Sequence, residues 1–394
     1  MRLLFIADGR SPTALNWISF FTGGEYEVHL VSLFPCQPEL PLASLRVIPV
    51  AFSGLAGERS AALPEPRSLL GSAAARLLTP GLRAALRHWL APLSLPGAAQ
   101  ELREHLAFIR PDLVHAMRIP YEGMLAALAD PDVPLLVSIW GNDFTLHAPS
   151  TPWMRRYTRL ALQRADVLLS DCQRDVRLAR QWGFDPQKPA VVLPGGGGLQ
   201  LDLFYPPEEE HAEPLVITPR GLRAYVRNDT VFAAAARVRQ VHPAVRFICP
   251  NMAGEPRAQA WVEQHGLQGW VDLLPRLTRP EMAQAFRRAQ VALSISEHDG
   301  TPNTLLEAMA CGCFPIAGDI ESLREWIEPG VNGMLVDPGD PDELANKILL
   351  ALQDDSLRQQ ARRRNLELVH QRAEYSAVMA QAQVIYRRLV KARS

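Results

Sequence analysis

Two carboxylates separated by seven residues, Asp299 and Glu307, are the side chains of this sequence best placed to do chemistry together. The apolar run 291–295 before them predicts a buried strand, and apolar residues at helical spacing over 305–310 predict a helix after it. Asp299 should therefore lie just beyond a strand end, with Glu307 about one turn inside the next helix. Carboxylates in such positions can accept hydrogen bonds from the vicinal hydroxyls of a sugar or a ribose.

The start of this helix supplies a second kind of group. Thr301 is expected to cap the helix N-terminus, and Pro302 suits its first position, where no backbone donor is needed. Asn303 and Thr304 then share one helix face with Glu307. The unpaired N–H groups and the positive dipole end of a helix N-terminus suit a diphosphate without any metal ion. The segment is thus shaped for a sugar linked through a diphosphate to a nucleoside.

Short apolar runs at regular intervals predict the framework that positions these groups. In the first half of the chain, strands are expected near residues 3–7, 28–33, 45–50, 112–115, 135–139, 167–170 and 191–193. In the second half, strands are expected near residues 215–218, 245–249, 271–274, 291–295, 314–317 and 334–336. Helical patterns separate most of these runs, which is typical of parallel, doubly wound α/β sheets.

Four consecutive glycines, at positions 195–198, separate the two series of strands. They predict a hinge or linker that continues through residues 205–210, because such a run costs too much entropy inside a helix or strand. We therefore expect two Rossmann-like domains, over residues 1–195 and 196–374. A C-terminal helix over about residues 375–394 is expected to pack back on the first domain.

The composition excludes several classes of function. The net charge of −1 gives no electrostatic reason to expect nucleic acid as a partner. Lys188, Lys347 and Lys391 lie in no site motif, which argues against Schiff-base chemistry. Five cysteines without CxxC spacing, and histidines without metal-ligand spacing, predict no metal site. The sequence shows no secretion signal and no apolar run long enough to span a membrane, so we expect a cytoplasmic protein.

The segment that carries the two carboxylates resembles the signature of the retaining glycosyltransferases of the GT-B fold, family 4, also called group 1 glycosyltransferases. The signature is an acidic residue, seven further positions, Glu, and Ala-Met-Ala-x-Gly, which here reads from Asp299 to Gly312. The similarity continues through residues 330–336 and 338–340, and the order of elements follows the family along the whole chain. The resemblance implies an α/β architecture, GT-B, in which two doubly wound Rossmann-like domains face each other across a cleft.

The resemblance also implies roles for the residues of the signature. Glu307 would bind the ribose of the nucleotide, and Asp299 would contact the donor sugar. The family usually has Glu at the position of Asp299, and a side chain shorter by one methylene moves the carboxylate back by about 1.5 Å. This departure bears on the identity of the donor sugar more than on the fold. The expected donor-binding residues are Gly300, Thr301, Pro302, Asn303, Thr304 and Leu305.

The family places a basic pair after the first strand of the second domain, where it neutralises the leaving diphosphate. Arg220 fits the first position and Arg227 the second, with Arg223 as a competitor for the second. Arginine can do this work through bidentate contacts. The alternative is that these are surface arginines on a loop. With Asp299 and Glu307, Arg220 and Arg227 form the predicted catalytic set.

The first domain departs further from the family. Many members have His-x-His at a strand end, with the second histidine facing the donor sugar. Here His115 matches the first histidine and Met117 stands at the position of the second. A methionine cannot accept a proton, so Arg118, His115 or a substrate group would have to take over, or the enzyme is impaired. For His115 the alternative is a strand-end histidine bonded to the backbone.

Two further segments of the first domain are expected to border the acceptor. Asp143 matches the Asp of the family's Gly-x-Asp after the next strand, and its alternative role is in a turn. The loop 9–13, with Ser11, replaces the family's usual Gly-Gly turn. The acceptor-cleft candidates are Ser11, His115, Arg118 and Asp143.

Two other segments carry weaker signals. Asp340-Pro341-Asp342 is similar to a metal-binding DxD, but it is better explained as the start of a helix near Glu343. Residues 59–90 interleave arginines with leucines and form a candidate for peripheral contact with the inner face of an anionic membrane. The alternative for 59–90 is a solvated helix face with its apolar side on the core.

The sequence therefore predicts a retaining, metal-independent glycosyltransferase. It would use a nucleotide-diphosphate sugar as donor substrate, need no cofactor, and take the hydroxyl of a glycan, lipid or small molecule as acceptor. One alternative is a catalytically impaired GT-B protein that binds nucleotide sugars or serves as a scaffold. Another is a sugar-nucleotide epimerase. A phosphorylase fits less well, because it needs a lysine for pyridoxal phosphate and the chain has only three lysines.

Overall fold

The computed structural model describes residues 1–50, 80–209 and 213–392, and the chain divides into two units. The first unit comprises Met1–Gly197 together with Met379–Ser394, and the second comprises Gly198–Val378. The division thus falls within the run of four glycines. The chain from residue 379 onward groups with the first unit, although it follows the second in sequence.

The first unit is built on a seven-stranded parallel sheet in the order β3-β2-β1-β4-β5-β6-β7. Its strands are β1 Arg2–Ala7, β2 Glu27–Ser32, β3 Ser44–Val47, β4 Leu113–Ala116, β5 Leu135–Ile139, β6 Val167–Ser170 and β7 Ala190–Val192. In β1, Leu3 lies opposite Val28 of β2 on one side and Leu113 of β4 on the other. The expected strand at 45–50 is shorter and begins earlier, at Ser44.

Helices cover this sheet, because strands buried on both faces must be packed from both sides. They are α1 Pro12–Thr22, α2 Pro80–Ile109, α3 Met124–Ala129, α4 Pro152–Arg164 and α5 Gln173–Gln181. Residues 3–7 of β1 are all fully buried. Their continuous apolar run is therefore explained by a position at the centre of a two-sided core.

The second unit repeats the design with a six-stranded parallel sheet in the order β10-β9-β8-β11-β12-β13. Its strands are β8 Leu215–Ile217, β9 Arg246–Cys249, β10 Val271–Leu273, β11 Val291–Ser294, β12 Phe314–Gly318 and β13 Met334–Val336. Its helices are α6 Asn228–Val241, α7 Pro256–Gln264, α8 Arg279–Arg288, α9 Asn303–Ala310, α10 Pro341–Gln353 and α11 Asp355–Ala373. Two apolar clusters fill its core. The prediction of doubly wound α/β sheets is confirmed in both units.

The last helix, α12 Tyr375–Lys391, begins in the second unit and continues into the first. Its Tyr386 is fully buried in the core of the first unit, where its ring stacks on Phe21 at 4.8 Å. The Tyr386 hydroxyl accepts a hydrogen bond from Nε1 of Trp17 at 2.9 Å. The C-terminal residues are therefore an integral part of the first core.

The four glycines form a packed turn rather than an open linker. Residues 195–197 make one 3₁₀ turn, and Gly196, Gly197 and Gly198 all have positive φ. A Cβ on Gly198 would lie 2.3 Å from the carbonyl oxygen of Ala373, so only glycine fits there. The run is thus required by left-handed backbone and close packing, and it lies where the predicted linker separates the two units.

In both sheets the chain reverses its winding direction beside the first strand. In the first unit β1 lies next to β4, and in the second β8 lies next to β11. In open α/β sheets the loops at the carboxyl ends of these two strands form the usual ligand-binding crevice. The loops that follow β8 and β11 contain residues 218–227 and 295–302, which include Arg220, Arg227 and Asp299 of the predicted catalytic set.

In the described ranges, no helix has both the length and the apolar character needed to cross a membrane. Of the stretch 59–90 that was a candidate for membrane contact, residues 59–79 lie outside the described residues. Trp89 and Leu90, at its end, lie in α2 with 54% and 38% of their surface exposed.

Candidate functional site

The loops after β8 and β11 run side by side at the carboxyl edge of the second sheet. Val226 and Ser296 form an antiparallel bridge between them. The Glu297 N–H donates to the Tyr225 carbonyl at 3.0 Å, and the Arg227 N–H donates to the carbonyl of Ile295 at 2.9 Å. Because the two strands are neighbours in the sheet, this backbone pairing brings distant parts of the sequence into one site.

Arg220 and Asp299 form an ion pair across these loops. Only 11% of the Arg220 side chain and 12% of the Asp299 side chain are exposed. Arg220 also donates to the Tyr225 hydroxyl at 3.3 Å, and its guanidinium lies 5.6 Å from the centre of that ring. The structure therefore places together a cation and a carboxylate that the sequence separates by 79 residues.

The helix α9 begins one residue later than the sequence predicted. Pro302 is its N-cap residue with extended φ and ψ, no side chain caps it, and Asn303 is the first helical residue. The Thr301 hydroxyl instead accepts a hydrogen bond from Nε1 of Trp326 at 2.8 Å. The expected capping role of Thr301 and the first-turn position of Pro302 are thus wrong. The consequence is that no side chain competes for the first N–H groups of α9, which stay directed towards any anion placed there.

The segment after β12 holds the loop 299–301 by hydrogen bonds. The Ser322 hydroxyl donates to the carbonyl of Asp299 at 2.7 Å, while Trp326 holds Thr301. Arg372 of α11 lies over the Trp326 ring at 4.0 Å and donates to the Glu325 carbonyl at 2.8 Å. The position of the loop between Asp299 and α9 is therefore fixed at both ends.

Glu307 lies one turn into α9 and is half-buried. Burial raises the pKa of its carboxyl from 4.5 to about 7, against an opposing effect of the Arg279 charge. The cause is the loss of hydration of the charged form. A carboxyl with a pKa near neutrality gains from hydroxyl donors, since they restore part of the hydration that the carboxylate has lost.

The second arginine of the predicted pair is engaged elsewhere. Arg227 forms ion pairs with Asp229 and with Glu297, both at 2.8 Å. It thus lies against the same 295–299 loop as Arg220, but its partners differ. Arg223 is exposed and donates to the Arg220 carbonyl at 3.3 Å.

His115, one of the acceptor candidates, is withdrawn from the surface. It is fully buried, with Nδ1 at 2.5 Å from the Tyr386 hydroxyl and Nε2 at 2.8 Å from Oγ of Ser138. Burial lowers the pKa of its imidazole from 6.5 to about 3, so the ring is neutral. The expectation that His115 borders the acceptor is wrong, and the alternative is close to the truth: its partners are side chains rather than backbone.

Asp143 is also fully enclosed, and it holds Arg118. Its Oδ1 accepts from Nε of Arg118 at 2.7 Å, and its Oδ2 accepts from the N–H groups of Trp140 at 3.2 Å and Ile119 at 3.3 Å. Burial raises the pKa of the Asp143 carboxyl, although the Arg118 charge opposes this shift. Its side chain has no exposed surface with which to contact an acceptor directly, while 27% of Arg118, the residue that it holds, remains exposed.

Two further expectations concern residues that follow the carboxyl ends of β1 and β4 in the first sheet. Ser11 caps α1, since its hydroxyl accepts from the N–H of Ala14 at 3.4 Å, and the side chain is half-buried. Met117 is buried, with 2% of its surface exposed. At the carboxyl end of β4, Arg118 is therefore the polar side chain that remains accessible.

One group of possible metal ligands occurs among the described residues, and it does not involve the residues above. It consists of Asp171, Cys172 and Asp175 in the first unit, where Asp175 is paired with Arg174 at 2.8 Å. Asp340, the first residue of the DxD-like sequence, instead caps α10, with Oδ1 accepting from the N–H groups of Asp342 at 2.9 Å and Glu343 at 3.0 Å. The interpretation of that sequence as a helix start is confirmed, although the helix begins at Pro341.

Several contributors were missed from the sequence. Trp326 and Ser322 hold the 299–301 loop, and Tyr386 holds His115 from the far end of the chain. The one available signal was position: residues 319–326 follow β12, the next neighbour of β11, so they had to leave the sheet at the same edge. Nothing in the sequence indicated the role of Tyr386.

Both halves of the chain match models of known protein families. The family model "Glycosyl transferases group 1" matches residues 204–367, and the model "Glycosyl transferase 4-like domain" matches residues 25–195. The D-inositol 3-phosphate glycosyltransferase of Thermomonospora curvata is 26% identical over 275 residues, which are 63% of this chain and 59% of that protein. The O-antigen chain mannosyltransferase B of Escherichia coli is 32% identical over 105 residues, 27% of each chain. The chain thus spans about half the length of the curated relatives it matches.

Solved structures are similar over the full length. Sucrose-phosphate synthase from Thermosynechococcus elongatus superposes with a TM-score of 0.77 and 18% identity, covering 100% of both chains. Anabaena HepE in complex with UDP gives a TM-score of 0.72 and 17% identity, covering 99% of this chain and 100% of that one. These similarities confirm the predicted GT-B fold.

Proposed function

Because this chain belongs to the group 1 glycosyl transferases, we propose that it moves a sugar from a nucleotide-diphosphate sugar to an acceptor hydroxyl, with retention of configuration and without a metal ion. The observation that carries the proposal is the convergence of Asp299, Arg220 and the uncapped N-terminus of α9 at one edge of the second sheet. These groups together offer a carboxylate for a sugar and two sources of positive potential for a diphosphate.

The nucleotide end of the donor would lie along α9. Glu307 accepts hydrogen bonds from the two ribose hydroxyls, which compensate the burial that raises its pKa to about 7. The diphosphate would contact the N–H groups of Asn303 and Thr304, and the backbone of Gly300 is assigned to the same contact. HepE was solved with UDP and with UDP-glucose, so uridine-diphosphate sugars are the first donors to test.

The leaving phosphate would be stabilised by the α9 dipole and by Arg220. Charge grows on the phosphate as the bond to the sugar breaks, and donors already in position stabilise that charge without reorganisation. Arg227 adds a second cation beside the same loop. In this proposal the helix N-terminus supplies positive potential that no side chain caps, and the two arginines would contact the phosphate in addition to their carboxylate partners, so that no metal ion is needed.

Retention is part of this proposal, and the placement of the carboxylates determines the route by which it would be reached. Asp299 is paired with Arg220 and serves to orient the sugar hydroxyls, and Glu307 is assigned to the ribose. No carboxylate is then left to act as a nucleophile on the sugar. The acceptor hydroxyl therefore attacks from the face that the phosphate leaves. We assign acceptor binding to the strand ends of the first unit, where Arg118 and Ser11 are the accessible polar groups.

A thermal-shift screen with uridine-, guanosine- and adenosine-diphosphate sugars tests the donor assignment. The cognate donor should raise the melting temperature by mass action, and Glu307→Ala should abolish both this shift and transfer. Glu263→Ala, an exposed helical glutamate of α7, is the matched control and should behave as wild type. An active Glu307→Ala enzyme would refute the site. The anomeric configuration of the product, read by NMR, separates retention from inversion.

A second candidate function is binding of a nucleotide sugar without transfer. It is favoured by the first unit, where His115 is buried against Tyr386 and Met117 is buried as well. Undiminished donor binding with no turnover on any acceptor would support this function. The epimerase alternative is separated by the same NMR measurement, because an epimerase returns an altered nucleotide sugar in the absence of an acceptor.

A further inference from the structure

A pocket of about 640 Å³ opens on the helix α4 of the first unit, away from the residues considered so far. Its volume lies within the range of ordinary ligand sites, roughly 300–1,000 Å³. Three arginines contribute to its lining: Arg155, Arg156 and Arg159. Positions i, i+1 and i+4 share one side of a helix, so the three charges point to one stretch of surface.

These arginines have no carboxylate partner among the residues that the structure describes, and none of the residues lining the pocket is acidic. The nearest acid in sequence to the end of α4, Asp166, is paired with Arg164 at 3.3 Å. Other arginines of this chain, such as Arg227 and Arg246, form ion pairs with carboxylates. The pocket therefore presents three arginine charges that have no carboxylate partner among the described residues.

An exposed apolar strip borders the same pocket. Trp153 of α4 is 40% exposed, and its ring stacks on that of Tyr157, which lines the pocket. At the near end of α2, Trp89 and Leu93 are 54% and 66% exposed. The two helices meet there, since the Thr151 hydroxyl donates to the carbonyl of His88 at 3.3 Å.

We propose that this surface binds an anionic phospholipid bilayer, with the phosphodiester headgroup in the α4 pocket and the neighbouring tryptophans at the level of the headgroups. The charges select an anion, and arginine forks match the oxygens of a phosphate. The apolar strip selects a lipid over a free phosphate, because a free phosphate gains nothing from exposed indole and leucine side chains. Tryptophan is the side chain best suited to a membrane–water interface.

Co-sedimentation of the full chain with vesicles tests the proposal. The chain should bind vesicles of phosphatidylcholine that contain phosphatidylglycerol, and binding to pure phosphatidylcholine should be weak. Each arginine near an anionic surface contributes roughly fivefold, so Arg155→Gln, Arg156→Gln and Arg159→Gln combined should weaken binding about 100-fold. High salt should also weaken binding of the wild type to the phosphatidylglycerol vesicles, because it screens the arginine charges.

The matched control removes three charges from exposed arginines of the second unit, by the combined substitutions Arg257→Gln, Arg276→Gln and Arg363→Gln. It has the same net charge as the test variant and should bind vesicles like the wild type. Trp153→Ala alone should weaken binding several-fold and reduce the blue shift of tryptophan fluorescence on vesicles. The melting temperature of each variant, in the absence of vesicles, verifies that it is folded.

Two results would overturn the proposal. In the first, the test and control variants bind phosphatidylglycerol vesicles equally. In the second, inorganic phosphate or glycerol phosphate raises the melting temperature in a way that needs the three arginines, while vesicles are not bound; the pocket then serves a soluble phosphate compound. Neither measurement depends on sugar transfer, so the proposed function is tested separately.

Discussion

The strand ends of the two units carry the same kinds of side chain, but they present them in opposite ways. In the second unit, Asp299 and Arg220 keep 12% and 11% of their side chains exposed, and Glu307 is half-buried. In the first unit, the side chain of Asp143 and the whole of His115 are buried. The acid and the histidine of the first unit therefore maintain its structure, whereas the acids of the second remain accessible to a ligand.

The difference lies in the partner atoms rather than in the residue types. Burial raises the pKa of Glu307 to about 7 and lowers that of His115 to about 3, so in both cases it favours the neutral form. The two nitrogens of His115 are nevertheless occupied by hydroxyls of the protein. For these two residues, availability for chemistry thus depends on the partners that the fold supplies: both nitrogens of His115 are already bonded inside the protein.

The largest expected effect concerns the Asp143–Arg118 pair. Asp143→Ala should lower the free energy of unfolding by about 3–5 kcal/mol, because it leaves the arginine and two backbone N–H groups without their acceptor. Urea unfolding of the full chain measures it. Asp299→Ala is the counterpart and should lower the free energy of unfolding by a smaller amount, because the Arg220–Asp299 ion pair is partly exposed to water. Equal losses would remove the distinction between the two regions.

The next effect concerns turnover in the second unit. Arg220→Ala should lower kcat for sugar transfer by about 10²–10³, which is the usual cost of removing one preorganised donor to a developing negative charge. Initial-rate kinetics at saturating donor measure it. Arg223→Ala, an exposed neighbour on the same loop, should keep the wild-type rate. A similar loss in both variants would contradict the assignment of this contact to Arg220 alone and would show that Arg223, the competitor of Arg227 for the second position, also contributes.

A smaller effect is expected at the buried histidine. Tyr386→Phe should cost about 2 kcal/mol of unfolding free energy, because Nε1 of Trp17 and Nδ1 of His115 lose a hydrogen-bond partner inside the core. Tyr205→Phe, at an exposed tyrosine, is the control and should be close to neutral. Denaturant titration of both variants gives the comparison, and an unchanged midpoint for Tyr386→Phe would show that the hydroxyl is dispensable.

The smallest effects are pH-dependent and have opposite signs in the two regions. The raised pKa of Glu307 contributes stability that is lost as the pH rises from about 4.5 to 7, because the folded state holds the proton more tightly. The lowered pKa of His115 contributes stability that is lost as the pH falls below 6.5. Relative to Glu307→Gln, the wild type should therefore become less stable between these limits as the pH rises.

A pH series of urea unfolding curves for the two proteins provides this measurement. The variant has no titrating carboxyl at position 307, so every other group cancels in the difference. A difference that stays flat across the range would place the Glu307 pKa near its ordinary value and would weaken the contrast with His115.

Much of the fold was predictable, because its signals are local. Continuous apolar runs such as 3–7 and 291–295 indicated strands covered on both faces, and those strands lie at the centres of the two sheets. The helix at Pro341 was predictable from the capping acid before it. The meeting of Arg220 with Asp299 could be anticipated from strand order alone, because β8 and β11 are neighbours at the point where the winding reverses.

The errors have a common physical origin. Thr301 has the right residue type for a cap, but the indole of Trp326, 25 residues later, takes its hydroxyl. His115 has the right type for a site, but Tyr386, 271 residues later, encloses it. In each case a distant partner competes with the local role, and sequence spacing carries no information about such partners.

The membership of Tyr386 in the first core has a consequence for how the protein is made. Synthesis supplies residues 1–197 first, then the whole of the contiguous second unit, and only afterwards residues 379–394. During translation the indole of Trp17 and the imidazole of His115 therefore have no hydroxyl partner until the whole second unit has been synthesised. The first unit can complete its core only after the second unit has left the ribosome.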